Sequence, residues 1–206
     1  MAAERSIARL RRKQGGFIVA RIAPPSRQPL VGKILNWVIS RRYGKPFSNV
    51  ALLGHNPSYP FAYGVVSSVF STGKTKLPQE TKRLVTQLVA ELNGCAFCID
   101  LGQRLAQDEA LSLEKLQRVL DFENQPAFSP AERAALRFAF EATQLGAKVS
   151  DETFTEVKKY FSEREILELT VAVATENFYN RLTGPLELAS QGFCDLPVTQ
   201  EKIQSS

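Results

Sequence analysis

Cys95 and Cys98 are the residues whose types and spacing first suggest chemistry. They stand in the run Asn93-Gly94-Cys95-Ala96-Phe97-Cys98, where Asn-Gly reads as the end of one helix and Cys95 as the mouth of the next. A spacing of three puts both thiols on one helix face, within reach of a disulfide. The partial positive charge at a helix N-terminus stabilises a thiolate and lowers its pKa. A thiolate at neutral pH is a nucleophile, and the second thiol resolves its oxidised product as a disulfide. The expectation is a dithiol redox site, with the order of attack left open. Two other readings exist. The cysteines can be buried small hydrophobes, or Cys95, Cys98, Cys194 and His55 can converge on a metal.

Other polar residues could serve such a site. Arg83, Gln87 and Glu91 lie four apart, along one helix stripe leading to Cys95. Glu91 is the nearest carboxylate and the candidate base, and Arg83 could stabilise a thiolate by charge. The same stripe reads more simply as a solvated face that supports its helix. Glu176, Asn177, Asn180 and Arg181 interrupt an apolar helix, as a hydrogen-bond network or as part of a pocket. Phe61, Tyr63, Phe70 and Phe97 are candidates for an apolar wall, although such residues usually belong to the core. His55, before Asn56-Pro57, reads as a turn residue.

The elements that must position these groups are helical. Gly, Pro and Ser punctuation predicts helices over 4–13, 29–43, 46–53, 60–71, 78–93, 95–108, 112–122, 129–146, 150–161, 162–180 and 185–191. Leu30, Val31, Ile34, Leu35 and Val38 share one face of the second of these. Ser129-Pro130-Ala131-Glu132 and Ser162-Glu163-Arg164-Glu165 are capping boxes. No strand pattern competes, so the fold class is an all-α bundle. One internal echo appears at an offset of 84 residues: Thr86, Val89, Ala90 and Asn93 match Thr170, Val173, Ala174 and Asn177, as a duplicated helix pair would.

Composition fits this. Apolar residues make up 44% of the 206 and charged residues 23%, which excludes wholesale disorder and a disulfide-dense miniprotein. The net charge of +5 is uneven: residues 1–48 hold eleven Lys or Arg against Glu4 alone, so the remainder is acidic. Residues 1–28 read as a basic extension and 29–206 as one all-α domain. The basic front is expected to pack on the acidic body, within a subunit or between subunits, rather than on a membrane or nucleic acid. The start, MAAERSIARLRRKQGG, does not read as a signal peptide, and a reducing, cytoplasmic setting is the default.

At the dithiol segment the chain resembles the carboxymuconolactone decarboxylase family, specifically its alkylhydroperoxidase D-like branch. The resemblance spans about 47–192. It rests on His55-Asn56-Pro57, Asn93-Gly94-Cys95-x-x-Cys98, the segment 129–136 and Asn180-Arg181. It implies an all-α homo-oligomer without cofactor or metal. Hydroperoxide reduction would run through Cys95 and Cys98, with electrons from a thiol carrier. Active members of the branch place a Glu twelve residues before the first Cys and a His four after the second. Those positions here hold Arg83 and Gly102. A positioned acid or base contributes roughly 10²–10⁴-fold, so this departure implies a slow enzyme, a relocated relay or another function. The other functions in view are a lactone or keto-acid decarboxylase-like activity and a non-catalytic binding or assembly protein.

Overall fold

The computed structural model describes residues 20–71 and 73–194, and the helix expected over 4–13 lies outside them. The described residues form nine α-helices: α1 (Leu30–Tyr43), α2 (Ser48–Leu53), α3 (Ser58–Val66), α4 (Gln79–Leu92), α5 (Ala96–Asp108), α6 (Leu113–Gln117), α7 (Pro130–Thr143), α8 (Asp151–Lys158) and α9 (Glu163–Thr183). A π-helical turn, Ser67–Ser71, prolongs α3. No strand occurs among the described residues.

Both capping boxes form. Ser129 Oγ accepts from the Glu132 N–H, and Glu132 returns to the Ser129 N–H; Ser162 and Glu165 do the same at the start of α9. Each reciprocal pair satisfies donors that a helix start leaves orphaned. The helix expected over 185–191 does not form. A 3-10 turn, Gly184–Leu186, stands there instead, and Glu187 comes next with φ at 51°. The buried Asp100 then holds the segment down, accepting from Ser190 Oγ (2.8 Å), the Gln191 N–H (2.9 Å) and the Cys194 N–H (2.8 Å).

Two cores share the central helix α4. On one side Leu84, Val85, Leu88 and Val89 pack with Leu136, Ala139 and Leu169 of α7 and α9. On the other, Phe47, Phe97 and Phe193 meet edge to face, with centroids 5.4–5.9 Å apart. Each such side chain contributes about 1.5–3 kcal/mol by leaving water. The apolar stripe expected on α1 is only partly used. Leu35 joins the second core, whereas Leu30, Ile34 and Val38 stay exposed. Residues 20–28 lie against the body, where Arg21 pairs with Glu187 and Gln28 Nε2 donates to the Ala51 carbonyl. None of the helices among the described residues is long and apolar enough to cross a membrane.

Glu168 of α9 anchors the loop that leads into α4. It accepts from Thr75 Oγ1 (2.6 Å), the Lys76 and Leu77 N–H groups (2.7 and 2.8 Å) and Arg164 Nε (3.0 Å). These bonds, the Thr75 hydroxyl first, hold its carboxyl at about 2 against an ordinary 4.5. A depressed carboxylate stabilises the fold above its unfolded pKa and loses that contribution as pH falls to the folded value. Glu168→Gln is therefore expected to lower stability at neutral pH, with the gap to wild type closing between pH 4.5 and 2 in urea melts.

Candidate functional site

The dithiol is placed by the turn that ends α4. Gly94 has φ at 62°, the Gly94 N–H reaches the Glu91 carbonyl (3.1 Å), and the Cys95 N–H reaches the Ala90 carbonyl (3.0 Å). This is a Schellman closure, with glycine at the left-handed position. Nothing lies within 4 Å of where a Gly94 Cβ would stand, so backbone conformation rather than crowding calls for glycine. The turn delivers Cys95 as N-cap of α5, where its Sγ accepts from the Cys98 N–H (3.3 Å). Cys95 and Cys98 are joined by a disulfide, with Cα atoms 5.3 Å apart. Cys194 is buried and free.

Asn93 ties this turn to α9. Its Nδ2 approaches the Val89 carbonyl (3.0 Å), Asn177 Oδ1 (3.0 Å) and Asn180 Oδ1 (2.9 Å). Asn177 Nδ2 likewise donates to the carbonyl four residues back, that of Val173 (3.0 Å). The two asparagines of the sequence echo thus make matching bonds and touch each other. Beyond them the two helices diverge: α4 stops at Leu92, while α9 runs on to Thr183. That extra length brings Thr183 to the sulfurs, its Oγ1 3.0 Å from Cys95 Sγ and 3.8 Å from Cys98 Sγ. The Thr183 hydroxyl also donates to the Tyr179 carbonyl (2.9 Å). In the reduced protein its oxygen is an acceptor for the Cys95 thiol.

Cys98, but not Cys95, lines a cavity of about 570 Å³. The wall's direction is set by α4, where Gln87, Arg83 and Gln79 face it at successive turns. Its inner end holds Tyr63, Gln87, Phe97 and Cys98, all buried. Gln79 and Arg42 at the outer end are exposed. Between the ends, Arg83 grips Glu109 with two bonds, Nε to Oε2 at 3.1 Å and Nη2 to Oε1 at 2.6 Å. Of the aromatic residues expected to form a wall, Tyr63, Phe70 and Phe97 do so, while Phe61 is exposed at the surface.

The Arg83–Gln87–Glu91 stripe is not solvated. Ten of the 14 residues of α4 are buried, these three among them, because α5 and the cavity cover the helix face that a simple bundle would leave to water. Glu91 does not reach the cavity wall. It accepts from Gln87 Nε2 (3.1 Å), and burial pushes its carboxyl up. Gln87 Oε1 is buried against Gly102 and has no hydrogen-bond partner among the described residues. A Cβ on Gly102 would meet that oxygen at 2.4 Å. Gln87 therefore fills the space a side chain at 102 would need.

The helix α9 supplies a carboxyl to which the sequence alone assigned no definite role. Glu176 lines the cavity and accepts from Asn180 Nδ2 (2.8 Å). It is half-buried in the cavity wall, and desolvation there pushes its carboxyl up to about 7. Of the four polar residues noted on this helix, Asn177 and Asn180 form the network, Glu176 enters the cavity and Arg181 is exposed. Thr183 was not singled out by sequence; its signal was its place seven residues after Glu176, on the same helix face. His55 is exposed, within 2.9 Å of the Ala23 carbonyl. Among the described residues no three His, Cys, Asp or Glu side chains form a group that could hold a metal ion.

Residues 62–141 match the carboxymuconolactone decarboxylase family. It is 26% identical over 176 residues to YnjA of Escherichia coli (strain K12), covering 85% of this chain and 97% of that one. Among solved structures it resembles the alkylhydroperoxidase AhpD core protein of Ralstonia eutropha JMP134, with TM-score 0.70, 17% identity, and 84% and 92% of the two chains covered. It equally resembles the debrominase Bmp8, with TM-score 0.71, 23% identity and coverage of 82% and 91%. A Bmp8 variant is known in complex with 2,3,4-tribromopyrrole. At these identities the structural likenesses establish the all-α alkylhydroperoxidase D-like fold.

The contact between Gln87 and position 102 is directly testable. Ala gains up to about 1 kcal/mol over Gly inside a helix, but its Cβ must push the Gln87 amide aside, so Gly102→Ala alone is expected to gain less than that. With Gln87→Ala also present the full gain should appear, giving a non-additive double-mutant cycle in urea melts.

Proposed function

We propose that this protein is a thiol-dependent oxidoreductase that reduces small organic hydroperoxides, with Cys98 as the attacking thiol and Cys95 as the resolving one. The observation that carries this reading is the asymmetry of the pair: Cys98 is in the wall of the cavity and Cys95 is behind it, against Thr183. The Cys98 thiolate attacks the terminal peroxide oxygen, the O–O bond breaks, and an alkoxide leaves and takes up a proton. Cys98 is then a sulfenic acid. Cys95 attacks its sulfur, forming the disulfide and releasing water. A thiol carrier returns two electrons and two protons to complete the cycle. The N-cap position of Cys95 and the start of α5 favour thiolate character in both residues.

A second substrate class shares the same machinery. The cavity has a largely aromatic inner end, and the fold is also that of a debrominase. A bromoarene reduced by a dithiol yields the arene, bromide, a proton and the disulfide, so Cys95 and Cys98 would be spent in the same way. A decarboxylase-like activity would not need the dithiol.

The protein is also proposed to self-associate. Leu30, Trp37 and Phe61, on the mutually packed α1 and α3, are 73%, 59% and 64% exposed in the single chain. A second copy covering them would remove an apolar surface that water penalises. Trp37→Glu is expected to shift light-scattering mass toward the monomer.

The chemistry is tested on the reduced protein with cumene hydroperoxide, tracking the thiols by mass spectrometry. Cys98→Ser should lower the oxidation rate at least 100-fold. Cys95→Ser should keep the first step and accumulate a sulfenic acid on Cys98. The reverse pattern would exchange the two roles, and lactone decarboxylation surviving in a Cys95→Ser/Cys98→Ser double variant would overturn the thiol reading.

A further inference from the structure

We propose that Glu176 is the catalytic acid of this site, the group that protonates the alkoxide released when Cys98 attacks the peroxide, from a helix other than α4 and α5, which hold Arg83 and Gly102. The inference rests on the dithiol reading above and adds the proton donor it lacks. Arg83 and Gly102 cannot serve: one is a cation locked on Glu109, and the other has no side chain and is backed by Gln87. Two carboxyls line the cavity among the described residues, Glu109 and Glu176. Glu109 is ion-paired with Arg83, Oε1 to Nη2 at 2.6 Å. Glu176 has no cation in bonding contact among the described residues; its bond is from Asn180 Nδ2 to Oε1, which leaves Oε2 to carry a proton toward the cavity.

The geometry of α9 sets the working distance. Glu176, Asn180 and Thr183 occupy positions i, i+4 and i+7 of one face, and Thr183 touches the sulfurs. Seven residues of α-helix rise about 10 Å, so the Glu176 backbone stands about two turns from the residue that touches the sulfurs, while its side chain and Cys98 line one cavity. A carboxyl set back from the sulfur is suited to the leaving group more than to the sulfur itself. The Cys98 proton reaches Glu176 through one cavity water. The balance closes: Glu176 gains the proton that Cys98 loses and delivers it to the alkoxide, ending ionised for the next turn.

The groups that face Glu176 and bias its protonation are Arg83 of α4, which favours the anion, and Tyr63 and Tyr179, whose burial keeps both phenols protonated. Lys82, Arg42, Tyr43 and Glu109 line the same cavity further out. Asn180, itself held by Asn93, fixes the carboxyl's orientation.

The experiment compares reduced wild type, Glu176→Gln, Glu176→Asp and Glu91→Gln in two reactions across pH 5–9. The first is oxidation of Cys98 by cumene hydroperoxide. The second is alkylation of Cys98 by iodoacetamide, whose iodide leaves without a proton. Glu176→Gln should slow the peroxide reaction by roughly 10²–10⁴-fold and remove the pH limb near neutrality, while alkylation at high pH, where the thiol is already ionised, is unchanged. Glu176→Asp should recover part of the rate, and Glu91→Gln should stay within about threefold of wild type. A Glu176→Gln protein with wild-type peroxide rate and pH profile overturns the assignment. If wild type itself ignores the peroxide, the peroxidase reading falls. Glu176 is then judged on alkylation near neutral pH: a profile altered by Glu176→Gln upholds its proton exchange with Cys98, and an unaltered one overturns it.

Discussion

The left-handed turn at Gly94 is the constraint on which the rest of the site depends. By closing α4 with two backbone bonds it leaves Cys95 no choice but to start α5, and it fixes the angle at which the dithiol leaves the central helix. Asn93, one residue earlier, uses the same turn to reach α9. A residue with a Cβ at 94 would be strained there, and relief of that strain would move both thiols and the Asn93 bonds together.

From that turn the site is built by two helices of unequal length. The echoed asparagines bond to each other and each to the carbonyl one turn back, so the start of the arrangement is nearly symmetric. Symmetry ends where α9 continues past Asn177. The added residues supply Asn180 and Thr183, and they turn a packing contact between two equivalent helices into a wall that ends at the sulfurs. The cavity is the space left between this extended α9, the polar stripe of α4, the face of α5 with Cys98 and Gly102, and the α3–π turn segment.

The polar groups of this space divide by how burial treats them. Arg83 is buried and Glu109 half-buried as an ion pair, and Glu109 also accepts from Gln79 Nε2. Gln87 and Glu91 are paired by a single bond, and the carboxyl is pushed toward its neutral form. Glu176 is bonded to an amide rather than a cation, and desolvation pushes its carboxyl up to about 7. The partners of the three carboxyls differ, a cation for Glu109 and amides for Glu91 and Glu176, and burial pushes the two amide-bonded carboxyls up.

The sequence by itself determined the helices, because capping boxes, prolines, glycines and helical apolar spacing are local signals. It also determined that Cys95 and Cys98 would sit together at a helix start, since the Schellman turn is encoded within Asn93-Gly94-Cys95. Tertiary structure decided what local patterns do not contain. The stripe Arg83, Gln87 and Glu91 looks solvated in one dimension and is buried because α5 crosses it. Leu30, Ile34 and Val38 form an apolar stripe that one chain does not cover. The 185–191 segment opens in a 3-10 turn, with Glu187 at φ 51°, and is then tied down at Ser190 and Gln191 by a distant residue, Asp100. The meeting of Glu176 and Thr183 with residues about 80 positions earlier depends on how α9 crosses α4 and α5, a long-range packing outcome for which no short run of residues carries a signal.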